Sequence, residues 1–182
     1  MDETVQALIK PKYREVLGAR LSPSFETFMH VGSRAANGAA LGYQRAGSEP
    51  LFLERYLDCP IEAAVTAALG REVERSAIVE IGNFAAVDAM AMVALWGAAA
   101  NDLGERSEVA VATLTAPLRG MFARIGVPLH PLAAARPERM GSGAQDWGRY
   151  YELDPQVCAG VIAEGQAAIT AFLARRAARK AA

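Results

Sequence analysis

The chain has 182 residues, of which 52% are hydrophobic and 21% charged, and its formal net charge is −1. This length and composition predict a single globular domain over 1–182 and argue against extensive disorder. The lack of a basic excess gives no support to sequence-independent nucleic-acid binding.

The first ten residues and the longest apolar stretch do not have the pattern of a secretory signal or a spanning helix. The first ten residues lack the basic-then-apolar order of a secretory signal. The longest apolar stretch, 84–100, contains Asp88 and falls short of the roughly 20 residues that a spanning helix needs. Cys59 and Cys158 lie far apart and form no metal-ligand pair. We therefore expect a cytoplasmic protein with reduced thiols, no bound metal and no transmembrane segment.

The N-terminal part of the chain is predicted to form a helix and a hairpin. Residues 4–19 have a helical composition, and 21–26 are typical of a loop. Two strand-like runs within 28–46 flank Asn37 and Gly38, a pair that favours the type I′ turn of a tight hairpin.

The run 50–57 alternates between two faces, which predicts a third strand. Asp58 is then placed to cap a helix over 60–69, with Gly70 at its end.

Strands and helices alternate in the second half of the sequence. Residues 76–87 are predicted to form a strand, and Asp88 can cap the helix that runs from there to 104. A strand over 108–115 follows. Alternation of this kind implies parallel neighbours within a mixed sheet.

The C-terminal third is predicted to be mainly helical. Thr115 can cap a short helix that ends at 126, and the prolines of 127–132 confine that short strand to a sheet edge. Residues 133–145 are typical of a mobile loop, and a last helix is expected to open at Asp154.

A hairpin, a third strand and then alternating strands and helices resemble the GNAT (Gcn5-related N-acetyltransferase) fold. The match is sharper with the acyl-homoserine-lactone synthases, whose Glu-x-Ser-Arg-Phe-x-Val strand is similar to VEIGNFAAVD at 79–88. LGYQRAGSEPLFLERYL at 41–57 and VAVATLTAPLRGMFARIG at 109–126 are similar to two further segments of those enzymes.

Most of the chain also resembles the thermostable hemolysin family, through LFLERYLDCPIE, IVEIGNFA and DWGRYYELDPQV. The family name describes a lytic phenotype. Together the resemblances imply a mixed α/β fold, with antiparallel and then parallel strands flanked by helices. They also imply acyl transfer from a thioester to an amine.

Two departures limit what the resemblance implies about substrates. Acetyltransferases bind the pyrophosphate of coenzyme A on a glycine-rich loop at a helix N-terminus, whereas this chain reads VDAMAMVALWG, in which Asp88 would repel phosphate. Asn83 stands where the lactone synthases have Arg. The donor is therefore expected to be an acyl carrier protein, through its phosphopantetheine, or coenzyme A. No permanently bound cofactor is expected.

Glu80 is the predicted catalytic residue. The resemblance places it beside a gap between two parallel strands, where a carboxylate could take the proton of an attacking amine. The alternative is a structural ion pair with Arg45 or Arg55. Gly82 either admits a close approach by substrate or packs tightly, and Asn83 either binds the acceptor or caps a bulge. Phe84 is expected to line the same cleft.

The other candidate residues each have a structural alternative. Glu54 and Tyr56 line the acceptor side of the cleft or form a solvated face. Arg45 clamps an acceptor carboxylate or pairs with a glutamate. Thr113 touches substrate near a strand end, and the aromatic cluster around Trp147 closes over an acyl chain or anchors its loop. Arg119 and Arg124 bind the phosphopantetheine phosphate or an acidic carrier protein, or are merely solvated.

The function predicted on these grounds is N-acyl transfer from a thioester to a small amine such as an amino acid. The alternatives are a membrane-active lytic protein and a non-catalytic binding module on the same fold. The basic C-terminal tail is compatible with weak contact to a membrane surface, and the sequence is compatible with a homodimer.

Overall fold

A computed structural model describes residues 3–20, 25, 27–33 and 36–181. In these residues the chain forms a six-stranded mixed sheet with helices on both faces, which confirms the predicted fold class. The helices are α1 (Glu3–Leu17), α2 (Ile61–Leu69), α3 (Ala89–Leu103), α4 (Ala116–Ile125) and α5 (Ile162–Ala181). The strands are β1 (Thr27–Ser33), β2 (Ala36–Arg45), β3 (Ile78–Ala86), β4 (Val109–Leu114), β5 (His130–Ala134) and β6 (Gln156–Val161).

The sheet order is β1-β2-β3-β4-β6-β5, and among these described strands only β3 and β4 pair in parallel. Their pairing is short and ends at Glu80 opposite Val111. Both strands continue beyond this point, β3 to Ala86 and β4 to Leu114. The predicted gap between two parallel strands is therefore confirmed.

Alternate residues of the strands feed two cores on opposite faces of the sheet. Val79 packs in the core beneath α3, α4 and α5, whereas Ile78 packs in the core covered by α2. α1 covers β2 and β3 on that second face, where Ile9 is fully buried. Glu80 therefore faces the same side of the sheet as Ile78.

Several predicted helix boundaries are confirmed. Asp88 caps α3, because its Oδ1 accepts the N–H of Ala91 at 2.8 Å. Gly70 and Gly126 end α2 and α4 with φ of 67° and 93°, a left-handed conformation that glycine adopts without strain. β5 lies at the sheet edge, as its prolines predict.

The predicted strand over 50–57 is wrong. Phe52–Tyr56 form a 3₁₀ helix, because the Glu54 carboxylate accepts the N–H groups of Leu51 and Ile61 and so folds the segment back on itself. Tyr56 is consequently buried and no longer shares a face with Glu54.

The predicted helix start at Asp154 is also wrong. Residues 156–161 form β6, which pairs with β4 on one side and β5 on the other. Val157 and Ala159 are fully buried there. α5 begins only at Ile162, once the chain leaves the sheet.

The hairpin turn differs from the prediction. β2 begins at Ala36, so Asn37 and Gly38 lie within the strand rather than in a turn. The connecting residues 34–35 and most of the predicted loop 21–26 lie outside the described residues.

Three smaller predictions need correction. Asp58 is exposed and pairs with Arg139, while Pro60 holds the N-cap position of α2. Thr115 occupies the N-cap of α4 without a side-chain capping hydrogen bond. The expected loop over 133–145 instead includes 3₁₀ turns over Pro137–Trp147.

Candidate active site

A cavity of about 50 Å³ lies where β3 and β4 separate. Its walls come from both divergent strands, from α1, from the 3₁₀ turn over Phe52–Tyr56 and from the segment around Trp147. The lining residues are Tyr13, Phe25, Phe52, Tyr56, Glu80, Ile81, Gly82, Asn83, Phe84, Thr113, Leu118, Trp147 and Tyr150. Six predicted site residues in addition to Glu80 are thus brought together: Tyr56, Gly82, Asn83, Phe84, Thr113 and Trp147.

Glu80 is held by main-chain donors rather than by an arginine. Its two carboxylate oxygens accept the N–H groups of Phe52 at 2.8 Å and Leu53 at 3.1 Å. The residue is only 3% exposed. Burial raises the pKa of Glu80 to about 7, and the two N–H bonds limit that rise. A carboxyl group with this pKa exchanges a proton near neutral pH.

The two arginines offered as partners of Glu80 are engaged elsewhere. Arg45 donates to Ser107 Oγ, beside the beginning of β4 and away from the separated end of the strands. Arg55 donates to the Phe52 carbonyl, and its guanidinium lies 3.9 Å from the centre of the Phe52 ring. Glu80 is therefore a buried acid without an ion-pair partner among these groups.

The turn that supplies the donors to Glu80 is fixed by a second carboxylate. Glu54 accepts two hydrogen bonds from Arg75, at 2.7 and 2.8 Å, besides those from Leu51 and Ile61. These bonds hold the pKa of Glu54 near 2, with Arg75 the largest cause. Glu54 thus lies outside the cavity, and its placement is that of a structural anchor.

Asn83 has an unusual backbone conformation that turns it towards the cavity. Its φ is +50°, a left-handed value that Asn tolerates better than most residues. Between the pairs Ala40–Ala85 and Gly42–Gly82, β3 gains one residue relative to β2, which makes a β-bulge. The bulge places Glu80 and Asn83 beside the same cavity.

Three polar side-chain atoms of the described residues are buried without a hydrogen-bond partner, and two of them belong to the cavity lining. These two are Asn83 Oδ1 and Thr113 Oγ1. The Asn83 side chain does bond to Tyr13, which leaves its carbonyl oxygen available. Buried polar atoms are rarely left unpaired, so these two have hydrogen-bonding capacity that a ligand or a water molecule can fill.

Gly82 does permit a close approach, but the neighbour is a protein side chain. A Cβ on Gly82 would lie 2.9 Å from the Phe25 ring, and one on Gly42 would lie 2.6 Å from it. The two glycines are cross-strand partners, so together they make room for that ring.

Aromatic side chains form the remaining wall of the cavity. The Trp147 ring lies 5.9 Å from Phe52 and 4.9 Å from Tyr150. Tyr56 and Tyr151 share a hydrogen bond of 2.8 Å, and Tyr150 donates to the Thr113 carbonyl. Burial raises the pKa of Tyr56 well above its usual range, so the phenol stays protonated.

The aromatic segment also anchors the N-terminal part of the chain. The N–H of Arg149 donates to the Leu17 carbonyl, and the N–H of Arg20 donates to the Asp146 carbonyl, both at 2.8 Å. The position of this cluster is therefore compatible with both predicted roles, which are to close over an acyl chain and to anchor its own loop.

The two arginines predicted to meet the donor lie away from the cavity. Arg119 donates to the carbonyls of Leu114 and Asp154 and to the Asp154 carboxylate, which closes the end of β4 against the start of β6. Arg124 is exposed. It contributes to a surface depression that we call the basic surface, formed by Arg124, Phe172, Arg175, Arg176, Arg179 and Lys180.

A second cavity, of about 80 Å³, lies between the sheet and α3, α4 and α5. Its lining is almost entirely apolar and includes Trp96, which stacks on Phe122 at 3.7 Å, and Gly165. Ile81 borders both this apolar cavity and the cavity at Glu80.

Six lining residues were not predicted as site residues: Tyr13, Phe25, Phe52, Ile81, Leu118 and Tyr150. Tyr150 belongs to the aromatic cluster noted in the sequence, which was its available signal. Tyr13 and Phe25 come from a helix and a loop far from β3 in the chain, and no local pattern points to their position.

The family model for thermostable hemolysin matches residues 1–166, and the chain belongs to this family. A search of curated proteins finds no match.

The fold is similar to those of solved structures at low sequence identity. TofI, crystallised in a ternary complex with an inhibitor and MTA, has a TM-score of 0.57 and 21% identity over 92% of this chain and 89% of its own. The AHL synthase LasI has a TM-score of 0.60 and 12% identity over 93% and 89%. FeeM, an N-acyl amino acid synthase from uncultured soil microbes, has a TM-score of 0.53 and 13% identity over 91% and 92%. These likenesses establish the fold.

Within the described ranges, no helix is both long and apolar enough to cross a membrane. Nor do three or more His, Cys, Asp or Glu side chains cluster there as metal ligands would.

Proposed function

We propose that this protein transfers a fatty acyl group from a thioester to the nitrogen of a small amine. The observation that carries the proposal is the position of Glu80. It is a buried acid with a pKa near neutrality, beside a cavity, at the last pair of two separating parallel strands. The likeness to the AHL synthase and to the N-acyl amino acid synthase supports the same chemistry by analogy of fold.

In the proposed reaction the thioester carbonyl enters the gap beyond Glu80 and Val111. There β3 and β4 no longer bond to each other, so main-chain N–H groups can polarise the carbonyl oxygen. Glu80 takes a proton from the neutral amine as its nitrogen forms a bond to the carbonyl carbon. The C–S bond breaks, the sulfur leaves with the bonding electrons and gains a proton, and the products are an amide and a thiol.

The apolar cavity is suited to the acyl chain. It adjoins the reaction site at Ile81, and its wall is built from α3, α4, α5 and the sheet. A hydrocarbon chain entering it would replace contacts with water by contacts with apolar side chains such as Trp96 and Leu114.

The basic surface is suited to the donor carrier. Among the described residues, none of its five cationic side chains forms an ion pair or a hydrogen bond, and none of the residues that form the surface is acidic. α5 runs antiparallel to α3, because Ile162 lies against Gly104 and Ile169 against Gly97. The basic end of α5 therefore lies at the end of the sheet where α3 begins. Acyl carrier protein and coenzyme A are both anionic, so either is attracted to this surface.

The test is turnover with a panel of acyl-carrier-protein and acyl-coenzyme A thioesters and a pool of amines, read as acyl amides by mass spectrometry. Glu80→Gln should lower the rate by about 100-fold or more, since general base assistance contributes this much. Glu152→Gln removes an exposed acid from the neighbouring aromatic segment and should leave the rate unchanged. Absence of amide with every donor, or equal rates for wild type and Glu80→Gln, would overturn the proposal.

A further inference from the structure

The lining of the cavity at Glu80 disfavours an amine substrate that carries a carboxylate. Its charged group is the Glu80 carboxyl, and the described residues that line it include no Arg, Lys or His. Arg45, which the sequence offered as a carboxylate clamp, donates instead to Ser107. A second carboxylate placed beside Glu80 would be desolvated next to a like charge. Arg55, whose charge acts on Glu80, lies outside the lining and already donates to the Phe52 carbonyl.

The tyrosine hydroxyls do not supply a replacement for the missing cation. Tyr56 bonds to Tyr151, Tyr150 donates to the Thr113 carbonyl, and Tyr13 bonds to the Asn83 side chain. Each of these three lining hydroxyls has a protein partner, and the Tyr13 oxygen, which accepts from the Asn83 amide, keeps only a neutral O–H donor and no positive charge.

The polar atoms that do remain available suit an ammonium group. Asn83 Oδ1 and Thr113 Oγ1 have no partner, and Glu80 supplies carboxylate oxygens at the same cavity. Asn83 is 8% exposed and Glu80 is 3% exposed, so both are at least nine-tenths buried. An alkylammonium group has three N–H donors and no acceptor. The hydrogen-bond acceptors of Asn83, Thr113 and Glu80 around one cavity complement these three N–H donors.

The size of the cavity fits the headgroup alone. A space of about 50 Å³ holds an ammonium and its first carbons, with the rest of the molecule beyond it. Phe52 and Trp147 are half-buried at the cavity and offer ring surfaces to an apolar substituent.

We propose that the acceptor is a primary amine with an apolar or aromatic substituent and no carboxylate. This proposal rests on the proposed acyl transfer for its chemistry and narrows the acceptor from small amines in general to this class. An amino acid is disfavoured, because its carboxylate would enter a cavity whose charged group is another carboxylate.

The experiment compares phenethylamine with phenylalanine, which share a ring and an amine and differ in the carboxylate. Binding is measured without any donor, by titration of tryptophan fluorescence, and turnover is measured with octanoyl-coenzyme A and with an octanoyl carrier protein. We expect phenethylamine to bind and to be acylated, with a kcat/KM at least tenfold above that of phenylalanine, a difference equivalent to about 1.4 kcal/mol.

Thr113→Val tests whether Thr113 Oγ1 accepts a hydrogen bond from the bound amine, since valine has nearly the shape of threonine but no hydroxyl. It should weaken phenethylamine binding by about five- to tenfold. Thr170→Val is the matched control, because Thr170 is exposed on α5 and bonds only to the Gln166 carbonyl of its own helix.

The outcomes separate this proposal from the proposed function. Acylation of phenylalanine at a comparable kcat/KM overturns the acceptor class and leaves acyl transfer standing. Binding of phenethylamine that Thr113→Val weakens, without turnover from either donor, supports the amine site and overturns the proposed function. Absence of phenethylamine binding, or binding that Thr113→Val leaves unchanged, overturns the amine site itself.

Discussion

Glu80 and Val111 form the last residue pair of the parallel ladder between β3 and β4, and Glu80 is also the acidic residue that lines the cavity. The two strands separate directly beyond the Glu80 carboxylate. The 3₁₀ turn whose N–H groups donate to this carboxylate packs at the same place.

The rate of acyl transfer should depend on the ionisation of Glu80. The residue accepts a proton only as a carboxylate, and its pKa is about 7. We therefore expect kcat/KM to rise with pH through about 7 and then level off. The measurement is a pH–rate profile for the wild type and for Glu80→Gln. A wild-type profile that is flat between pH 6 and pH 8, within about twofold, would contradict a role for Glu80 as the base.

The stability of the fold should also change with the same ionisation. Because burial raises the pKa of Glu80, the folded state binds the proton more tightly than the unfolded state does. The contribution to stability is thus fully present below the ordinary carboxyl pKa and is lost as pH rises through about 7.

Denaturant unfolding of the wild type and of Glu80→Gln at pH 5 and pH 8 measures this effect. The free energy of unfolding of the wild type should fall relative to that of the variant by about 2 kcal/mol between the two values. An unchanged difference would mean that Glu80 titrates as an ordinary exposed acid.

Arg75 should be important for both stability and activity. It donates to Glu54, to Glu62 and to two main-chain carbonyls, and thereby fixes the turn that bonds to Glu80. Arg75→Ala should cost about 2 kcal/mol of unfolding free energy and lower the rate of acyl transfer. Arg71 is the control, because its pair with Glu108 is about half exposed and its loss should cost less than 1 kcal/mol. Equal costs for the two variants would contradict the anchoring role of Arg75.

The apolar cavity should set the length of the acyl chain. Gly165 lines it from α5, and a Cβ there would already touch Val127 at 3.6 Å. Gly165→Leu should shift the preference to shorter chains and lower kcat/KM for the longest accepted chain about tenfold. Gly120→Leu is a matched helical control, since a Cβ at that position meets nothing within 4 Å. Identical chain-length profiles for wild type and Gly165→Leu would place the chain elsewhere.

The basic surface should govern the encounter with the donor. Reversing the charges of Arg175 and Arg176 to Glu should raise KM for an acyl-carrier-protein donor about tenfold at low salt, with little change in kcat. The difference should shrink as salt screens the charges. Arg106→Glu reverses an exposed charge outside this surface and is the control. A KM that responds equally to both changes would reflect net charge rather than a docking surface.

The candidate base could be predicted because its signal is local. A carboxylate within the apolar run of 76–87 is visible in the sequence, and burial of such a group requires a partner or a role. Asp88, Gly70 and Gly126 were likewise predictable, since a cap or a left-handed turn depends on one residue and its neighbours.

The failures came where distant residues decide local structure. The alternation of 50–57 favours a strand, but Glu54 draws the N–H groups of its own segment inward and is itself held by Arg75. β6 owes its conformation to β4 and β5 on either side, whereas the residues after it favour a helix. The approach of Phe25 to Gly42 and Gly82 is likewise a tertiary contact without a local pattern.

The use of peptide N–H groups to hold Glu80 makes its support tolerant of sequence change. Phe52 and Leu53 can be exchanged for other residues without removing the donors, because every amino acid except proline carries that hydrogen. We therefore expect homologous proteins to exclude proline at these two positions, while the burial of Leu53 and the place of the Phe52 ring in the cavity lining keep both side chains apolar.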